Sequence, residues 1–275
     1  MAPTTSSLPS GTSQGARTRA PATRRVAAGW VPDQHGAWAM LVLPFVAGLW
    51  LAEPRATHLP LFALWIVGYL AFFATGRWLR TRRRSRDVPP MLVYGAICIP
   101  LGSTVLAMDP GLVRWIPAFV PLLALSVWLM VQRRERSLAN DATVVVAACL
   151  MAPVAFAAGE GTDWPALWIV FGVLVAYFLG TVLYVKTMIR ERGRRGYVVA
   201  SVGYHLVGSL GAAGLVLAGW ASWWLPVVWL ALAGRASAGP MANARRSQPL
   251  RPAVIGVGEI VASLLVTGVA IAGVG

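Results

Sequence analysis

Nine runs of apolar residues, separated by short polar connectors, govern what this chain can fold into. They fall at approximately 36–52, 59–76, 89–107, 113–131, 141–158, 165–185, 197–218, 220–233 and 253–274. Most are about 17 to 23 residues long, and at about 1.5 Å of rise per helical residue that length crosses roughly 30 Å of bilayer hydrocarbon. A helix satisfies each of its backbone polar groups within its own segment, which is what a lipid surround demands. Composition agrees: charged residues make up 12% of the chain and hydrophobic residues 57%. A soluble domain carries about 25% charge, and half of that cannot cover a water-facing surface. The sequence therefore predicts an all-α, polytopic transmembrane helix bundle.

Charge sets the expected topology. The connectors at 77–86, 133–136, 186–195 and 235–251 are strongly basic. Those at 53–58, 109–110, 160–163 and 219–220 are short, and acidic or neutral. With nine spans and the N-terminus inside, 22 of the 24 Lys and Arg residues lie on the inner side, leaving Arg55 and Arg114 outside. Such asymmetry is what the positive-inside rule requires. It predicts a multi-pass protein of the cell membrane with a cytoplasmic N-terminus and an external C-terminus. The eighth run is the shortest, about 14 residues with Pro226 among them. It counts as a span because without it Arg245, Arg246 and Arg251 would lie outside. The first 30 residues are rich in Ser, Thr, Pro and Arg and hold no acid, which predicts a disordered basic tail ahead of a transmembrane domain at 31–275. The net charge of +14 does not imply nucleic-acid binding. The cations sit between apolar runs, where they anchor to lipid headgroups, so the expected partner is the bilayer. Many of the 13 tryptophans fall near run ends, their interfacial preference.

Polar side chains within spans are costly and direct attention to function. Glu259 lies roughly 8 Å into the ninth run and His205 roughly 12 Å into the seventh, measured from the basic side at about 1.5 Å per residue. His35, Asn140 and Asp141 stand at helix starts on that side, and Lys186 and Arg190 at a helix end. Together they predict a polar cavity open to the cytoplasm, with these seven residues as candidate contacts for an anionic lipid or phosphate. Structural roles compete with that reading. Asn140 or Asp141 could cap the fifth span, Lys186 and the arginines could snorkel to headgroups, and His205 could be a satisfied core histidine. Glu259 should face protein, either protonated or paired with an arginine or lysine. Gly208 and Ala212, then Gly214 and Ala218, suit close packing inside one bundle or a dimer face. Cys98 and Cys149 lie within apolar runs and read as small buried hydrophobes.

The stretch Pro32-Asp33-Gln34-His35-Gly36-Ala37-Trp38-Ala39-Met40 resembles the N-terminal signature of the YwiC-like membrane protein family, in which a His-Gly-Ala-Trp motif opens the first span. Two further stretches fit the same resemblance: Tyr184 to Arg192 with Tyr204-His205 downstream, and Ile255 to Ile260 in the last span. The likeness runs over about 31–274 and implies a membrane fold, but no reaction. The nine-span layout is also similar to that of UbiA-type intramembrane prenyltransferases, which hold a diphosphate through Mg²⁺ on two Asp-rich connectors. Mg²⁺ needs hard oxygen ligands, and here the corresponding connectors offer only Asp87 and Glu191, each among arginines. The sequence indicates no metal site and leaves any cofactor unspecified. It leaves three classes open: an enzyme or anion binder, a small-solute or proton-coupled transporter, and a non-catalytic assembly or partner subunit.

Overall fold

The computed structural model describes residues 30–32, 35–81 and 84–274, without the side chains of His35 and Gly36. The expected N-terminal tail lies outside the described residues apart from Trp30, whose carbonyl accepts a hydrogen bond from Tyr94 Oη at 3.0 Å. The described residues contain no β-strand. The helices are α1 (His35–Trp50), α2 (His58–Arg80), α3 (Val88–Met108), α4 (Ile116–Val131), α5 (Leu138–Cys149), α6 (Met151–Ala158), α7 (Trp164–Met188), α8 (Arg195–Leu217), α9 (Trp224–Ala244) and α10 (Pro252–Ala272). Helices α5 and α6 form a single rod interrupted at Leu150. Pro153 is the cause, since its ring crowds the carbonyl four residues earlier and it supplies no N–H. Among the described residues there are thus nine rods.

Seven of these rods are long and apolar enough to cross a membrane. The exceptions are α1, a shorter apolar helix, and α9, which carries Arg235 among small residues. Eight rods match the apolar runs to within about four residues at each end. The eighth run does not match. The sequence places it at 220–233 with Arg235 in the next connector, whereas the helix is Trp224–Ala244. The chain first turns through Gly219, at φ +75°, a backbone geometry glycine adopts at no steric cost. The helix then continues past Arg235 because a carboxylate on α10 waits for the guanidinium.

Local signals explain half of the helix starts. The Ser137 hydroxyl accepts from Asn140 N–H to cap α5, and the Asp163 carboxylate accepts from Ala166 N–H to cap α7. The cap of α5 is therefore Ser137, and neither Asn140 nor Asp141 fills that role. Proline in the first turn opens α3, α4, α7 and α10, where its missing N–H is not needed.

The rods gather around α7 and the α5–α6 rod. Leu167, Val170, Leu174 and Tyr177 of α7 are fully enclosed, as are Ala152, Ala155 and Phe156 of α6. Around them α8 pairs with α9, α2 with α3, and α1 lies between α10 and α6. The outward faces of α3, α8 and α10 expose Leu92, Ile99, Val207, Leu210, Val261 and Leu264. A continuous apolar exterior of this kind suits hydrocarbon and not water. Gly208 and Ala212 face inward, Gly208 directly against the Trp229 ring, so that pair serves packing within the bundle.

Contacts sort the connectors into two ends. At one end, Lys186 donates to Arg136 O at 2.9 Å, Arg192 donates to Asn243 O at 2.7 Å, and Gly76 sits against Met130. All four basic connectors adjoin these contacts. At the other end, Arg55 pairs with Glu160, His58 Nε2 donates to Ala155 O at 2.9 Å, and Trp115 stacks on Trp164.

Among the described glycines, Gly48 marks the closest backbone approach, that of α1 on α6. A Cβ added at Gly48 would lie 2.0 Å from the Ala152 carbonyl oxygen. Gly48→Ala should therefore cost at least about 2 kcal/mol, the middle of the range for overpacking. Gly172→Ala, where an added Cβ meets nothing within 4 Å, should be neutral or stabilising by up to about 1 kcal/mol. Thermal unfolding in detergent compares the two, and equal melting temperatures would contradict the close α1–α6 approach.

Candidate functional site

Helix periodicity builds the site. On α7, Phe178, Thr181, Val182, Val185 and Lys186 recur at three- and four-residue spacing and therefore share a face, and Ile189 and Arg190 follow in the turn that ends the helix. On α10, Pro252, Gly256, Glu259 and Ser263 do the same. These two faces, with Ala37 and Met40 of α1 and Asp141 of α5, enclose a cavity of ≈ 470 Å³ at the basic end of the bundle.

Two ion pairs fix its polar wall. Lys186 Nζ lies 2.7 Å from Asp141 Oδ2 and also donates to Arg136 O, tying α7 to the start of α5. Glu259, only 3% exposed, takes both terminal nitrogens of Arg235, at 2.7 and 3.3 Å. Arg235 reaches Glu259 from α9, and its guanidinium stacks 4.2 Å over the Tyr184 ring. That geometry lets a planar cation remain at membrane depth: charge is matched by the carboxylate and one face is covered by an aromatic ring. Beneath the pair, Ser263 donates to Glu259 O at 2.6 Å, and the Tyr177 hydroxyl lies 3.1 Å from Ser263 Oγ.

Of the seven residues singled out in the sequence, four line the cavity: Asp141, Lys186, Arg190 and Glu259. Arg190 is exposed, and among the described residues it has no ion-pair partner. His35 opens α1, whose first turns reach the cavity through Ala37 and Met40, but its side chain lies outside the described residues. Asn140 does not join the cavity. Its Oδ1 accepts from Ser126 Oγ at 2.6 Å and its Nδ2 donates to Glu135 O at 2.9 Å, so it clasps the α4–α5 hairpin. His205 is likewise elsewhere, fully buried on α8 between Tyr204 and Trp229 with Nδ1 2.7 Å from Ser201 O. Its ring fits because α7 offers Gly180 at that point, where a Cβ would lie 2.9 Å from Nε2.

Arg235 is the residue that sequence reasoning assigned to the wrong place. The signal available was Glu259 itself, a carboxylate one span away that needed a cation. Asp87 and Glu191, the acids on the connectors where a prenyltransferase would carry aspartate clusters, are committed to Arg77 and Thr81 and to Arg194 respectively. Neither lines the cavity.

Breaking a buried pair strands a charge, at a cost of about 3–5 kcal/mol. Arg235→Met should therefore lower stability by about 3 kcal/mol, and Arg235→Met with Glu259→Met should recover most of that loss. Thermal unfolding of the single and double variants in detergent measures this, and additive losses would contradict the pairing.

A family model described as "YwiC-like protein" matches residues 31–156. The chain is 34% identical over 193 residues to a Bacillus subtilis protein described as "Uncharacterized protein YwiC", an alignment covering 70% of this chain and 80% of that one. It is 27% identical over 181 residues to an "Uncharacterized protein" of Haemophilus influenzae, covering 66% and 76% respectively. No solved structure matches it.

Proposed function

The chain belongs to the YwiC-like family, and from the site its own residues build we propose that it binds a phosphate-bearing anion in a cavity at the inner face of the membrane. The unmatched cation carries this reading. In the cavity wall Lys186 is satisfied by Asp141, and Glu259 by Arg235, which leaves Arg190 as surplus positive charge beside an open volume. A guanidinium is the side chain best shaped for two-point contact with a phosphate. Basic connectors surround the opening and would draw an anion toward it. His35, at the head of the helix that forms one wall, is a proposed further contact.

Orientation follows from the same charges. With the arginine-rich end at the cytoplasmic face, all nine rods cross the cell membrane, the N-terminus is inside and the C-terminus is outside. Both carboxylates in the wall are already ion-paired, an arrangement suited to holding a ligand's charge more than to taking up a proton. Binding, with or without a subsequent reaction, is the function these residues support.

Dihexanoyl phosphatidic acid, titrated against purified protein in neutral detergent, should bind at least tenfold more tightly than dihexanoyl phosphatidylcholine. Arg190→Ala should erase that difference while leaving the melting temperature of the ligand-free protein unchanged. Equal affinity of the unmutated protein for the two lipids would contradict the proposal.

A further inference from the structure

A second cavity, ≈ 460 Å³ and almost wholly apolar, lies between α1, α2, α3, α4 and the α5–α6 rod. It shares two wall residues with the basic cavity, Ala37 and Met40 on the first turns of α1. From there it extends along the bundle axis and opens at the bundle surface beside Leu106, Ile116, Val120 and Leu123, which are exposed. Its lining runs from Phe72 on α2 to Leu61 near the opposite end, eleven residues and so about 16 Å of helix.

Two glycines widen it. Some glycines of the bundle mark a close approach, as at Gly48 against Ala152 or Gly208 against Trp229, and others, such as Gly172 and Gly214, face open space. Gly68 on α2 and Gly102 on α3 both line the slot, and a Cβ added at either would meet nothing within 4 Å. Glycine within a helix costs about 1 kcal/mol relative to alanine, and here no neighbouring backbone requires it. What the two glycines provide is width.

We infer that this slot holds the hydrocarbon chain of the same ligand whose phosphate group occupies the basic cavity, so that the ligand is an anionic lipid lying across the first turns of α1. The inference rests on the phosphate-binding reading above. It adds that the two cavities form one amphiphilic site: Arg190 on the polar side, an apolar slot on the other, and Ala37 and Met40 as the sill between them. A free phosphate or a headgroup alone would fill only half of it. A long apolar chain joined to a compact anion fits both halves in the order in which they lie.

Four titrations of the purified full-length protein in neutral detergent separate these cases: dioleoyl phosphatidic acid, dihexanoyl phosphatidic acid, inorganic phosphate and dioleoyl phosphatidylcholine. The unmutated protein should bind dioleoyl phosphatidic acid at least tenfold more tightly than the dihexanoyl form, and phosphate more weakly still. Gly68→Leu and Gly102→Leu extend into open space. Each should remove that tenfold advantage while leaving affinity for the dihexanoyl lipid within twofold. If both glycine variants bind dioleoyl phosphatidic acid like the unmutated protein while Arg190→Ala weakens it, the slot assignment is overturned and the phosphate reading survives. If Arg190→Ala alters neither lipid, the phosphate reading fails and takes the joint site with it. A test on the unmutated protein guards against variants that do not fold. Phosphatidic acid carrying a diazirine near the end of one acyl chain should crosslink to α2 and α3 around Gly68 and Gly102. Crosslinks confined to the outer faces of α8 and α10 would overturn the inference.

Discussion

A guanidinium left in hydrocarbon without a partner costs several kcal/mol at the least, and almost everything in this bundle follows from avoiding that. Arginines are gathered into the connectors of one end, and the contacts from Lys186 to Arg136 and from Arg192 to Asn243 hold those connectors together. The opposite end holds the Arg55–Glu160 pair and aromatic packing. Arg235 is placed within a helix and its position is compensated. The Glu259 carboxylate and the Tyr184 ring together permit α9 to continue to Ala244, eleven residues past the end of the apolar run at 233.

The same compensation shapes the cavity. Glu259 would otherwise dominate its wall with a buried negative charge, and Asp141 would add another. With both neutralised, the remaining charge is that of Arg190. Stability and site are therefore joined at one place: the α9–α10 ion pair anchors two helices and also leaves the neighbouring volume positive. The first turns of α1 wall both the polar and the apolar volume through Ala37 and Met40, within and just after the His-Gly-Ala-Trp motif.

The bundle was legible because apolar runs of spanning length have few other fates, and eight of the nine rods among the described residues lie close to the runs that announce them. The boundary that failed was decided by a tertiary pair: hydropathy drops at Arg235, and only contact with Glu259 keeps the helix going. Asp141, Lys186, Arg190 and Glu259 were identifiable as polar groups at one depth, and their convergence follows from the alternation of the helices. Asn140 and His205 shared that depth but turn toward other neighbours, Ser126 and Trp229, and helical position alone does not reveal which neighbour lies on which side. Ser137, three residues before Asn140, carried an ordinary capping signature that the more conspicuous Asn-Asp pair obscured. The apolar slot could not be read at all, because an apolar residue on a helix's outer face and one lining a slot between helices look alike in sequence.

An inward-facing site requires the arginine-rich end to lie at the cytoplasmic face. Single cysteines placed by Thr162→Cys, in the exposed α6–α7 connector, and by Gln248→Cys, in the exposed α9–α10 connector, test this in a Cys98→Ser background where Cys149 stays buried. A membrane-impermeant maleimide applied to intact cells should label the first and should reach the second only after permeabilisation. Labelling at position 248 in intact cells would place the basic connector outside and contradict both the topology and the inward-facing site.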